Sequence, residues 1–142
     1  MIDLGVVLDA SGSVRDDWSV LLAFVASLTR SVNPGPGGSH IGVVKFGDDA
    51  EKIFDFREFD ESTYAEADVL QKITDIGRPG SGERTFINRG LRLANRQLFR
   101  EEFGMRPEVK QVSFRMHFRF DTGNDHWRRE RGECSAIEVK KS

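Results

Sequence analysis

Asp9, Ser11 and Ser13 occupy alternate positions of Asp9-Ala10-Ser11-Gly12-Ser13, directly after the apolar stretch Ile2–Leu8. They offer one carboxylate and two hydroxyls, all oxygen donors. Side chains at alternate positions converge when the chain turns sharply, and Gly12 permits such a turn. Hard divalent cations such as Mg²⁺ take oxygen ligands, few protein carboxylates and several waters. One Asp and two Ser suit that demand. The same residue types are also common in Asx and Ser turns that cap a following helix. The five residues alone leave both readings open.

Other residues suggest other chemistry, and each suggestion has a weakness. Asp121-Thr122-Gly123 matches the Asp-Thr-Gly of aspartic proteases, where two such carboxylates share one proton. One copy occurs here, so a homodimer would be needed, and the helical patterns nearby do not suit an all-β fold. Ser11 or Ser13 as a nucleophile would need a positioned base. His40, His117 and His126 are available, but no pattern brings one to that loop. Gly77–Thr85 superficially resembles a phosphate loop, yet Glu83-Arg84 stands where Gly-Lys is required. The expectation is a binding module and not an enzyme.

The elements that must carry these donors follow from periodicity. Residues 2–8 are apolar on both faces, as in a central parallel strand. Trp18, Leu21, Leu22, Val25 and Leu28 share one helix face, with Asp16 and Asp17 in its first turn where acids favour the helix dipole. Asn33–Gly38 is a Pro/Gly-rich loop. Ile41–Phe46 reads as a second strand, Gly47-Asp48-Asp49 as a turn, and Lys52–Phe56 as a third, antiparallel edge strand. Thr63–Glu66 has the spacing of a capping box ahead of a helix buried through Val69, Leu70, Ile73 and Ile76. Ile87, Leu91, Ala94 and Leu98 mark a third helix, with Gly104 as its expected stop. Strands alternating with helices predict an α/β fold: a Rossmann-like, doubly wound, mostly parallel sheet with flanking helices. Ligands on such sheets bind beyond the carboxyl ends of strands, where Asp9, Ser11 and Ser13 fall.

The 142 residues suit one domain, 38% hydrophobic and 31% charged. A net charge of −2 gives no reason to expect nucleic acid as a partner. No apolar run approaches membrane-spanning length. No signal-peptide pattern precedes the first strand, so the chain reads as intracellular or as a domain cut from a larger secreted or membrane-anchored parent. Cys134 is the single cysteine, which excludes an internal disulfide.

The segments DLGVVLDASGS (3–13), HIGVVKF (40–46), GSGERTFINRGLRLA (80–94) and PEVKQV (107–112), in this order, resemble a von Willebrand factor type A domain, the module of matrilins, collagen VI and integrin inserted domains. The resemblance implies a metal-ion-dependent adhesion site. It carries Asp9, Ser11, Ser13 and Thr85 over as ligands of Mg²⁺ or Mn²⁺, with Asp121 standing in for a final Asp. It also implies an acidic group on a protein partner, such as collagen or another matrix protein, and an extracellular parent.

The pattern breaks after Val112. The family continues with an all-apolar strand ending in Asp-Gly. Here Phe114, Met116, Phe118 and Phe120 alternate with Ser113, Arg115, His117 and Arg119, which predicts a half-exposed strand unsuited to the middle of a covered sheet. Thr122 intervenes before Gly123. The expectation is a partial domain over 1–123, incomplete at its C-terminus, and an irregular, disordered tail over 124–142. Altered splicing, a frame change or a gene-model error would produce such an ending. Loss of the final Asp would leave a metal-free interaction scaffold as the alternative function.

Overall fold

The structure, a computed structural model, describes residues 1–79, 84–116 and 134–138, the last as backbone only. Strand β1 (Ile2–Asp9) lies at the centre of a five-stranded sheet. β2 (His40–Phe46) and β4 (Lys110–Met116) flank it, both parallel to it. β3 (Ala50–Phe54) closes one edge antiparallel to β2, and β5 (Cys134–Glu138) lies antiparallel to β4. The register pairs Asp3 with His40 and Asp9 with Phe46, so the carboxyl ends of β1 and β2 reach the same rim.

Alternate residues of β1 feed two cores, as a strand covered on both faces requires. Leu4, Val6 and Leu8 pack with helix α1 (Trp18–Ser31) and helix α2 (Glu66–Thr74), through Leu21, Val25, Val69 and Ile73. Val7 joins Val44 and Phe46 under helix α3 (Ile87–Gln97), against Ala94 and Leu98. Each fully buried Leu, Ile or Val contributes about 1.5–3 kcal/mol. Trp18 is core, and its indole N–H donates to the Ile76 carbonyl at 3.1 Å, tying the start of α1 to the end of α2. Among the described residues no helix is long and apolar enough to cross a membrane.

The structure departs from the sequence expectations in several places. β3 ends at Phe54 and not at Phe56, which opens a 3₁₀ turn through Phe59, and α1 starts at Trp18, so Asp16 and Asp17 precede its first turn. Thr63 does not cap α2: its hydroxyl donates to the Asp60 carbonyl at 3.4 Å, and Ala65 holds the cap position without a side-chain bond. Asp60 captures this segment in its own turn, with Thr63 and Tyr64 amides on its carbonyl. Gly104 does not stop α3, which ends at Gln97; at φ 83° it closes the following short 3₁₀ turn, Glu101–Phe103. β4 is an interior strand of the sheet over Lys110–Met116, and the remainder of the expected half-exposed strand, 117–120, lies outside the described residues. Met116 and Phe114 pack into the α1 core, Phe114 stacking on Phe24 at 6.2 Å, while Gln111 and Ser113 are buried. Gln111 is satisfied there by the carbonyls of Arg106 and Val109, which removes the cost of its burial. Finally, Cys134–Glu138, inside the expected irregular tail, forms β5. It pairs with the backbone edge that β4 would otherwise leave open. Residues 117–133 and 139–142 of that ending lie outside the described residues.

The amino edge of the sheet is locked by charge. Asp3 is fully buried and accepts from the Arg106 guanidinium and amide. His40 beside it is buried, with its ring stacked on Phe59 at 5.1 Å and its Nε2 3.2 Å from the Pro36 carbonyl. Burial pushes the imidazole below its ordinary 6.5, and the Arg106 charge pushes the same way against the Pro36 contact. At Asp55 burial acts to raise the pKa, but hydrogen bonds from Arg57 and Lys52 outweigh it and bring the carboxyl down to about 2. The two groups give a defined acid response. Below pH 6.5 the unfolded chain takes up a proton that folded His40 resists, so stability falls as pH drops. The Asp55 contribution is present above its ordinary 3.8 and is lost as pH falls toward about 2. Denaturant titrations from pH 7 to 5 should show a stability slope that His40→Gln flattens; an unchanged slope in that variant would remove His40 as its source.

Candidate metal centre

β1 delivers Asp9 to the carboxyl rim, where its side chain is fully buried. The chain then leaves the sheet. The Ala10 amide donates to the Phe46 carbonyl at 2.7 Å, extending the β1–β2 pairing by one bond. The Ser11 amide folds back onto Asp9 Oδ1 at 2.9 Å. A short 3₁₀ turn follows over Gly12–Val14, without a positive φ at Gly12, and fully buried Val14 anchors it in the core. This turn brings Ser11 Oγ and Ser13 Oγ to 3.0 Å from each other. Ser11 is buried and Ser13 exposed, so the donor cluster runs from a buried carboxylate outward to solvent.

The arrangement bears on the two readings of the motif. Asp9 does form an Asx-type turn with the Ser11 amide. Neither Ser11, before the 3₁₀ turn, nor Asp17, before α1, makes a side-chain cap bond. The two hydroxyls are therefore turned to each other and not spent on helix amides. A carboxylate with paired hydroxyls is a hard-oxygen donor set, the chemistry Mg²⁺ and Mn²⁺ select. Among the described residues no three His, Cys, Asp or Glu side chains form a group that could hold a metal ion.

Thr85, half-buried, precedes α3 on a second loop. The Phe86 amide donates to the Gly47 carbonyl at 3.1 Å, docking this loop on the β2–β3 turn. Gly47 in turn lies against Ala10: a Cβ at Gly47 would sit 3.1 Å from the Ala10 oxygen. Further along, Gly90 lets α3 press on the end of β2, since a Cβ there would meet the Phe46 ring at 2.7 Å. The segments after Asp9 and after Thr85 thus both dock on the end of β2, at Phe46 and Gly47. Asp121, the expected final donor, lies outside the described residues. Sequence reasoning did not find Gly47, Phe86 or Gly90 as supports. Gly47 was legible as a turn, while the others carried no local signal.

The catalytic alternatives gain no support from this geometry. His40 begins β2 while Asp9 ends β1, and the strands are parallel. Their separation along the sheet is about 20 Å at ~3.3 Å per residue. His117 and His126, and the Asp-Thr-Gly at 121–123, lie outside the described residues. An open cleft beside Ala10 and Gly47 is walled by Lys45, Glu51 and Arg78, with Lys45 and Glu51 paired at 3.1 Å.

Comparison with known proteins gives a consistent picture. The family model for the von Willebrand factor type A domain matches residues 3–114. The chain is 29% identical over 111 residues to integrin alpha-1 of Gallus gallus, covering 78% of this chain and 37% of that protein. It is 27% identical over 112 residues to matrilin-4 of Homo sapiens, covering 78% and 17%. It is 33% identical over 113 residues to von Willebrand factor A domain-containing protein 1 of Mus musculus, covering 78% and 25%. The chain therefore spans between 17% and 37% of these relatives' lengths. Among solved structures, proximal thread matrix protein 1 from the mussel byssus superposes with a TM-score of 0.73 at 25% identity, covering 88% of this chain and 33% of that one. Another structure of that protein, described as having a zinc-occupied MIDAS motif, gives 0.72 at 24% identity, covering 89% and 33%.

Proposed function

Since the chain belongs to the von Willebrand factor type A family, we propose that it is a metal-ion-dependent interaction module that captures an acidic group of a protein partner. Asp9, Ser11, Ser13 and Thr85 would hold Mg²⁺ or Mn²⁺, with Asp121 as a further donor. A bound divalent ion would supply an open coordination position for a carboxylate from the partner. The observation that carries this reading is the Ser11–Ser13 hydroxyl pair beside buried Asp9, with neither hydroxyl of the pair used as a helix cap. Asp9 supplies the negative charge. The serines supply neutral oxygens, so the site keeps affinity for an anionic partner group in place of saturating the ion with its own carboxylates. The exposed Ser13 side is the direction of approach.

The domain is taken to run from β1 and to include β5 (Cys134–Glu138), which belongs to the same sheet. The integrin and matrilin relatives, and the byssal matrix protein, support an adhesion or matrix parent, and the partner proposed here is a matrix protein such as collagen. Binding of the chain to immobilised collagens in Mg²⁺ should be lost on adding EDTA and regained with excess Mg²⁺. Binding retained at full strength in EDTA would replace this reading with the metal-free scaffold.

A further inference from the structure

We propose that Arg89 is a positioning residue for the candidate metal site, holding the Thr85 loop against the β2–β3 turn. The inference rests on the metal-dependent reading above. Arg89 lies in the first turn of α3, four residues after Thr85. Its Nη1 donates to the Asp48 carbonyl at 2.6 Å, and its guanidinium lies 4.3 Å from the centroid of the Phe86 ring. Its own amide donates to the Phe86 carbonyl at 3.0 Å. Phe86 bonds to Gly47 at 3.1 Å, and the Gly47 amide closes the turn on the Asp49 carbonyl at 2.8 Å. Through Phe46 the same strand end holds the Ala10 amide. A continuous set of contacts thus joins the Ser11 turn, the end of β2, the β2–β3 turn and the Thr85 loop. Arg89 clamps its last joint from the side.

The clamp is not a core contact. The Arg89 side chain is 50% exposed, and its nearest carboxylate oxygen among the described residues, on Asp49, is 4.0 Å away, a pair worth little at a solvated surface. What the guanidinium adds is direction. It bonds the turn and covers the aromatic ring that follows Thr85, so the residue next to Thr85 is held before a ligand arrives. A loop that is in place only part of the time lowers apparent affinity by that fraction.

Calorimetry with Mn²⁺ on the full 142-residue chain tests this. Arg89→Ala should lose roughly tenfold in Mn²⁺ affinity, the lower end of what removing an outer support of a metal site costs. The melting temperature without metal should be unchanged, and the Phe86 amide should exchange faster with solvent. Arg89→Lys should recover part of the affinity, because an ammonium can still donate to the Asp48 carbonyl and sit over the ring. Wild-type affinity in Arg89→Ala, alongside a loss in Asp9→Asn, would overturn the role of Arg89 and leave the metal reading standing. A fall in metal-free melting temperature matching the fall in affinity would make Arg89 a general stabiliser and equally overturn it. Wild-type affinity in Asp9→Asn would remove the metal site itself, and this proposal with it.

Discussion

Asp9→Asn is expected to abolish Mn²⁺ and Mg²⁺ binding while leaving the chain folded. Asp9 is the one carboxylate placed among the described candidate donors, so its loss removes the formal charge that compensates an ion's dehydration. Affinity should fall by more than about a hundredfold, beyond what outer supports of a metal site account for. The amide is chosen over Ala because Asp9 is fully buried and its Oδ1 accepts the Ser11 amide at 2.9 Å. Asn retains that oxygen, so the turn that pairs Ser11 with Ser13 can persist while the charge is gone. Calorimetry reads the affinity, and far-ultraviolet circular dichroism reads the fold. Ser13→Ala, at the exposed end of the cluster, should weaken binding less, since it removes a neutral donor that water can replace. Equal divalent affinity in wild type and Asp9→Asn would show that the rim of β1 is not the site.

The largest effect on stability should come from the opposite edge. Arg106→Ala should cost about 3–5 kcal/mol, the usual result of removing one partner from a buried ion pair. Asp3 is fully buried, and Arg106 gives it Nε at 2.9 Å, Nη2 at 2.6 Å and the backbone amide at 2.7 Å. Arg106 Nη1 also reaches the Gly38 carbonyl at 3.0 Å. One side chain therefore ties the start of β1 to the segment entering β4 and to the loop before β2. Without it the Asp3 carboxylate stays buried with little compensation. The melting temperature should drop by roughly 10 °C or more for a domain of this size. Adding Asp3→Asn to Arg106→Ala should restore part of the loss, because the orphaned charge is then removed. Mn²⁺ affinity of the folded fraction should not change, since the pair sits at the far end of the sheet from Asp9. A cost under about 1 kcal/mol would mean that water or backbone groups replace the guanidinium.

Much of this protein is written locally. The apolar runs of β1 and β2, the one-sided stripe Trp18–Leu28 and the Ile87–Leu98 spacing give strand, strand, helix and helix wherever the chain places them. Asp9, Ser11 and Ser13 are legible because their chemistry and their spacing lie within five consecutive residues. The structure adds that their hydroxyls pair and do not cap a helix. What the sequence did not reveal depends on groups far apart along the chain. Asp3 reads as one polar residue within an apolar strand until Arg106, 103 residues later, is folded onto it. The Thr63–Glu66 capping pattern is satisfied on paper, yet Asp60 takes the Thr63 hydroxyl first. Phe114 reads as one side of a half-exposed strand until Phe24 stacks on it. The segment that carries Thr85 docks on the strand end beside Ala10 because Gly47 receives the Phe86 amide and Gly90 lets α3 approach Phe46. Periodicity reports which face of a segment avoids water. Which donor meets which distant acceptor, and which small residue allows two segments to touch, is decided only when the layers pack.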